Sequence, residues 1–134
     1  MMTSLFSKIV HGEIPSYKIA EDEHFYAFLD INPLQKGHTL VIPKEETDYI
    51  FDIEDHVLGH LMIFAKKVAR AIEKVTPCKR IGVVVLGLDV PHAHIHLIPI
   101  HSGADIEFSK QKLKLSNEEF TQIAQKISQA YQQQ

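Results

Sequence analysis

The stretch VPHAHIHLIPI, residues 90–100, sets His92, His94 and His96 at alternate positions in a run otherwise made of apolar residues and prolines. Successive side chains of a strand point to opposite faces, so the three rings would share one surface while Ala93, Ile95 and Leu97 fill the other. Alternate residues lie about 6.6 to 7 Å apart along a strand, near enough for three rings to meet one small ligand. A lone histidine would read as a polar residue on a solvated sheet face; three in register favour a site. One chemistry for them is metal binding, since neutral imidazole ligates zinc and His-x-His on a strand supplies two ligands. No Cys-x-x-Cys or His-Glu-x-x-His spacing accompanies them. The other is displacement at phosphorus: a neutral imidazole attacks, neighbouring donors hold the oxygens, and a further group protonates the leaving atom. An unperturbed pKa of about 6.5 suits the ring to both giving and taking a proton.

The pattern around these residues predicts the elements that hold them. SLFSKIVHG has Leu5, Phe6, Ile9 and Val10 at helical spacing and a stop at Gly12, giving a short amino-terminal helix that flanks or lids the site. YKIAE, FYAFLD and HTLVIP read as three closely spaced strands of an antiparallel meander. Residues 52–75 form the longest periodic stretch, with Val57, Leu61, Phe64, Ala65, Val68, Ile72 and Val75 on one stripe. Leu58 and Met62 widen that stripe beyond one sheet face, which suggests contact with a second subunit. RIGVVVLG, residues 80–87, pairs as a hairpin with HAHIHLIP, which brings the sheet to five strands. Ser116 and Glu119 stand at capping-box spacing before Phe120, Ile123, Ile127 and Ala130, so a carboxy-terminal helix spans 116–131 and the tail YQQQ frays. Strands interrupted by one long helix make the fold class α+β.

A length of 134 residues fits one domain, 1–134, and one core. No segment reaches the apolar length of a membrane span, and MMTSLFSKIV lacks the marks of a signal peptide, so the expected compartment is the cytoplasm. A formal net charge of −3 leaves no broad basic face for a nucleic acid polymer, and the short run KQKLK, residues 110–114, reads as a solvated loop. The single cysteine, Cys78, has no partner and reads as a free structural thiol.

HAHIHLI matches the His-φ-His-φ-His-φ-φ signature (φ apolar), and SLFSKIVHGEIPSYKIAEDEHFYAFLDINPLQKGHTLVIPK resembles, segment by segment, the amino-terminal half of the Hint-like branch of the histidine triad (HIT) superfamily. The resemblance covers about residues 3–100 in two blocks in the proper order. It implies a HIT-like α+β fold with a five-stranded antiparallel sheet, usually a homodimer, binding a purine nucleotide over the triad face. The implied activity is a phosphoramidase-like nucleotide hydrolase or nucleotidyl transferase that needs neither cofactor nor metal. By the same resemblance His94 is the nucleophile that forms a nucleotidyl-histidine, His92 orients it, His96 contacts the phosphate or the departing group, and His38 is the fourth histidine. Asp30 matches the carboxylate facing the ribose hydroxyls, while Phe6, Ile9, Phe28, Ile31 and Leu40 match positions enclosing base and sugar. On the residues alone, Phe28 and Leu40 read as core and Asp30 as a turn residue. The alternatives are a dinucleoside polyphosphate hydrolase, a catalytically weak nucleotide-binding regulatory module and, last, a metal-binding protein.

The sequence departs from the family's pattern in two places. Many relatives carry a longer polar loop with an asparagine and a Gly-Gln before the triad; here the loop is VVVLGLDVPH, with Leu88 in the glutamine's place and Asp89 after it. Loss of a preorganised donor there implies slower turnover or altered substrate choice. Some relatives bind zinc through an amino-terminal Cys-x-x-Cys, where this chain has Ser4 and Ser7. Hydroxyls do not replace thiolates at structural zinc, so no zinc is expected there. His11, His24, His56, His60 and His101 receive no role, and His56 and His60 read as surface or interface residues.

Overall fold

Five short runs of β-forming residues become β1 (Lys18–Glu21), β2 (Phe25–Leu29), β3 (Thr39–Pro43), β4 (Arg80–Val84) and β5 (Ile95–Ile100). The structure is a computed structural model and describes residues 3–134; Met1 and Met2, part of the stretch read for a signal peptide, lie outside the described residues. The strands form one antiparallel sheet in the order β1-β2-β3-β5-β4, with β4 and β5 paired as the expected hairpin partners. Gly37 turns the chain into β3 at a φ of 91°, where a Cβ would stand 3.0 Å from Thr76 Oγ1. Glycine is required there on both counts.

Alternation divides the side chains between two faces. Phe25, Ala27 and Leu29 of β2, Val41 of β3, and Ile95 and Leu97 of β5 join the main core with Ala93. Helix α2 (Asp55–Val75) lays Leu61, Phe64, Ala65, Val68, Ala71 and Ile72 on that core, a helical repeat that makes one apolar stripe. Helix α3 (Asn117–Gln132) starts at the expected box: Ser116 Oγ accepts from Glu119 N at 3.1 Å, and Glu119 Oε1 accepts from Ser116 N at 3.1 Å. Its Phe120, Ala124, Ile127 and Ala130 close the same core beside α2 and β1, with Phe120 stacked on Tyr17 at 4.8 Å. The expected fraying of YQQQ is corrected: α3 continues through Gln132, Lys67 Nζ lies 4.6 Å from the Tyr131 ring centre, and Gln134 Nε2 donates to Lys67 O at 2.8 Å. No helix among the described residues is long and apolar enough to cross a membrane.

The opposite face is only partly covered. Tyr26 and Phe28 of β2 and Leu40 and Ile42 of β3 pack with Phe6 and Ile9 of the short helix α1 (Leu5–Val10) in a second, smaller cluster. Next to it the same face carries the histidines.

Candidate active site

The triad lies at the end of β5 rather than wholly within it. Regular pairing with β3 runs from Thr39↔Leu97 to Val41↔Ile95 and stops, so only His96 is in the strand and His92 and His94 precede it. Continuing that register would set Ala93 against Pro43, which has no N–H to give. Ala93 N turns instead to Thr47 O at 2.6 Å. Alternation survives past the strand's end, since Ala93 and Ile95 point into the main core while the His94 and His96 rings lie 5.0 Å apart on the other side.

Each ring's partners define its neutral tautomer. Leu34 N donates to His38 Nδ1 at 3.0 Å, so the His38 proton sits on Nε2 and points at His96 Nδ1, 3.0 Å away. His96 Nδ1 therefore accepts, and its own proton is on Nε2. His94 Nδ1 meets the carbonyl oxygen of His92 at 2.8 Å and must donate to it, leaving the lone pair on Nε2. His92 Nε2 meets Pro43 O at 2.7 Å and likewise donates, so its Nδ1 accepts from Ser4 Oγ at 2.8 Å. Every fully buried side-chain nitrogen or oxygen among the described residues has a partner, whereas His94 Nε2 and His96 Nε2 have none among those residues. Those two atoms reach the open side of their rings: one is an electron-pair donor, the other a hydrogen-bond donor.

Burial favours the neutral rings. It pulls the pKa of His38 down to about 3, helped by His96 and Lys112, and that of His96 to about 4, helped by His94. Burial also lowers that of His92, against an opposing pull from the Pro43 carbonyl and the charge of Glu46. The Asp30 carboxyl is raised by its own burial, partly offset by the Asn32 N–H. His38 Nε2 stands 3.5 Å from Asp30 Oδ2, an ion-pair distance, but a ring held neutral makes this a dipolar contact. Asp30, His38 and His96 hold three potential metal-ligand atoms within 4.8 Å of one another. The ring atoms that face inward there, His38 Nε2 and His96 Nδ1, are joined by a hydrogen bond at 3.0 Å.

A cleft of about 350 Å³ opens over this face. It gathers His38, His94 and His96 with Asp30, Phe6, Ile9, Phe28, Ile31 and Leu40, nine of the ten residues the sequence singled out. His92 is the exception; it lies fully buried beneath Phe6, behind the wall. Asp30 Oδ1 caps a turn by accepting from Asn32 N at 2.8 Å, as a turn residue would, and the same residue lines the cleft. Phe6 meets the His94 ring edge-on at 5.0 Å, so α1 forms one wall and serves as the flank it was expected to be.

Other residues at the site were missed or misread. Lys112, taken for part of a solvated loop, lines the cleft, anchored by hydrogen bonds to the carbonyls of Phe108 and Lys110. Phe108 packs on His96 at 4.8 Å. The alternation of charge in KQKLK carries no sign of this; Phe108, an aromatic in a polar stretch, was the available signal. Ser4 and Ser7, noticed only as absent thiols, are buried and bonded to His92 and to Glu46. Leu86, Gly87, Leu88 and Asp89 form the rim, with Leu88 85% exposed. His11, His24, His56, His60 and His101 are exposed and away from the cleft.

With the geometry established, likeness to known proteins is informative. The sequence model for the family described as HIT domain matches residues 11–103. An uncharacterized HIT-like protein of Borreliella burgdorferi is 35% identical over 96% of this chain and 98% of its own length. The adenosine 5'-monophosphoramidase of Saccharomyces cerevisiae is 41% identical over 71% of this chain and 61% of its own. A solved Hit-like protein involved in cell-cycle regulation, from Bartonella henselae, superposes with a TM-score of 0.83 at 31% identity, covering 96% of each chain.

Proposed function

This chain belongs to the HIT domain family, and on that premise we propose that it is a nucleotide phosphoramidate hydrolase or nucleotidyl transferase working on purine nucleotides through a nucleotidyl-His94 intermediate. The observation that carries the reading is the His94 ring, with Nδ1 committed to the His92 carbonyl and Nε2 unpartnered on the cleft wall. Nε2 attacks the α-phosphorus; the new N–P bond forms as the bond to the leaving nitrogen breaks, and that nitrogen takes up a proton from solvent and departs as the neutral amine. His96 Nε2–H, packed under Phe108, hydrogen-bonds the phosphoryl oxygen or the leaving atom. Water then attacks the same phosphorus and gives a proton back to solvent, releasing the nucleoside monophosphate and restoring the neutral ring. Asp30 accepts from the ribose hydroxyls, and Phe6, Ile9, Phe28, Ile31 and Leu40 enclose base and sugar, an arrangement supported by their common cleft. None of these steps draws on a metal or other cofactor.

Lys112 favours a second reading of the substrate, because among the described residues lining the cleft it alone carries a fixed positive charge. A cation on the cleft wall, close enough to act on His38 and Asp30, suits an anionic leaving group, as in a dinucleoside polyphosphate. The apolar rim residues Leu86 and Leu88 favour a third, a binding module of low turnover. Offering an adenosine phosphoramidate and a dinucleoside polyphosphate to the wild-type protein and to His94→Ala separates all three. The main reading expects faster turnover of the phosphoramidate and its loss in the variant. Binding of AMP with no turnover of either substrate would select the module.

We also propose that the working form is a homodimer located in the cytoplasm. Edge strand β4 is left unpaired on its outer side, Val83 is 53% exposed, and Met62 and Ile63 of α2 are exposed. Light scattering at the mass of one chain would contradict the dimer.

A further inference from the structure

His92 is the one triad ring outside the cleft, and its surroundings are unusually polar for a fully buried side chain. On one side Nε2–H is fixed on Pro43 O. On the other, Ser4 Oγ stands 2.8 Å from Nδ1 and 3.2 Å from Ser7 Oγ, and Ser7 Oγ donates to Glu46 Oε1 at 2.8 Å. The same carboxylate oxygen accepts from Ser4 N at 2.6 Å, and Ser7 N donates to Ser4 Oγ at 3.0 Å. We propose that Glu46, acting through the Ser7 and Ser4 hydroxyls, is a positioning residue for the catalytic ring: it holds His92 in place, and the His92 carbonyl in turn aims His94. This rests on the proposed role of His94 as nucleophile.

The hydroxyl chain suits both charge states of His92 without moving a heavy atom. With a neutral ring, Ser4 O–H points to Nδ1. With a protonated ring, Nδ1–H points to Ser4 Oγ, Ser4 O–H turns to Ser7 Oγ, and Ser7 O–H remains on Glu46. The charge of Glu46 is thus linked to His92 across two hydroxyls, and no bond in the chain is lost when charge develops nearby. The Ser4 N–H and the Ser7 hydroxyl hold the Glu46 carboxyl down to about 2, so the acceptor end stays ionised at neutral pH. Besides Glu46, the groups acting on the His92 ring are the Pro43 carbonyl and His94. The consequence for catalysis lies in orientation: His92 is tied at both ring nitrogens, and a nucleophile hung on its carbonyl inherits that rigidity.

The test joins nitrogen NMR of His92 with steady-state kinetics on an adenosine phosphoramidate. Glu46→Gln keeps an acceptor and removes the charge; Ser4→Ala removes the hydroxyl; Ser4→Thr keeps both hydroxyl and helix cap. The relay expects the His92 Nδ1 resonance to move in Glu46→Gln and further in Ser4→Ala, with kcat falling about tenfold and KM within about twofold. Ser4→Thr should restore both. A resonance unmoved by either disruptive substitution overturns the relay, whatever turnover does. Resonances that move in the variants, beside a wild-type protein that turns over no phosphoramidate, overturn instead the catalytic reading beneath the relay.

Discussion

The run from His92 to Leu97, which leads into β5, has two faces built from alternate residues and held by different forces. On one face Ala93, Ile95 and Leu97 are packed between the sheet and α2 and have no polar partner to find. On the other His94 and His96, with His92 and His38 behind them, are wired by hydrogen bonds that leave each ring one allowed neutral tautomer. Close packing tolerates small shifts of a methyl group, but a nucleophile must point. The comparison assigns stability to the odd-numbered positions and chemistry to the even-numbered ones, and substitutions should separate along that line.

The sharpest separation is expected at His94. His94→Ala should lower phosphoramidate turnover by about a thousandfold or more, while AMP binding by calorimetry survives and the thermal midpoint stays near wild type. Three residues further along, Leu97→Ala should do the reverse. Truncating a fully buried leucine costs about 2–5 kcal/mol in chemical denaturation, with kcat per folded molecule unchanged. Equal loss of activity and stability at both positions would break the division.

A pH experiment tests the wiring of the polar face. His38 and His96 stay neutral in the fold down to about 3 and about 4, whereas in the unfolded chain a histidine takes its proton near a pKa of about 6.5. Between about pH 4 and 6.5 the unfolded state binds more protons, so stability falls as pH drops through that window and gains no slope from these rings above it. Denaturation midpoints across the window should show this decline, and His38→Asn should flatten it. The smallest effect belongs to Lys112, half exposed and tethered to its own loop. Lys112→Ala should raise KM for a phosphoramidate by no more than about fivefold. A larger rise for a dinucleoside polyphosphate would point to that substrate class instead.

The even-odd division was legible because it needs only local alternation, and so were the pairing of β4 and β5, the stripe on α2 and the Ser116 box, each written within one continuous local segment. Where contacts span distant segments the sequence was silent. Ser4 meets Glu46 across 42 positions and His92 across 88, and nothing in SLFS or PKEET announces either. The late start of β5 depends on Pro43 in another strand, and the ordered tail on Lys67 in another element. Lys112 looked solvated because composition does not reveal that its loop folds back over His96.

Nucleotidyl transfer through His94 requires a covalent bond to one nitrogen, Nε2. An adenosine phosphoramidate reaction quenched in base during turnover, digested and read by mass spectrometry should yield an adenylyl group on the peptide bearing His94, and none from His94→Ala. Adenylylation at another residue, or steady turnover with every peptide unmodified, would contradict it.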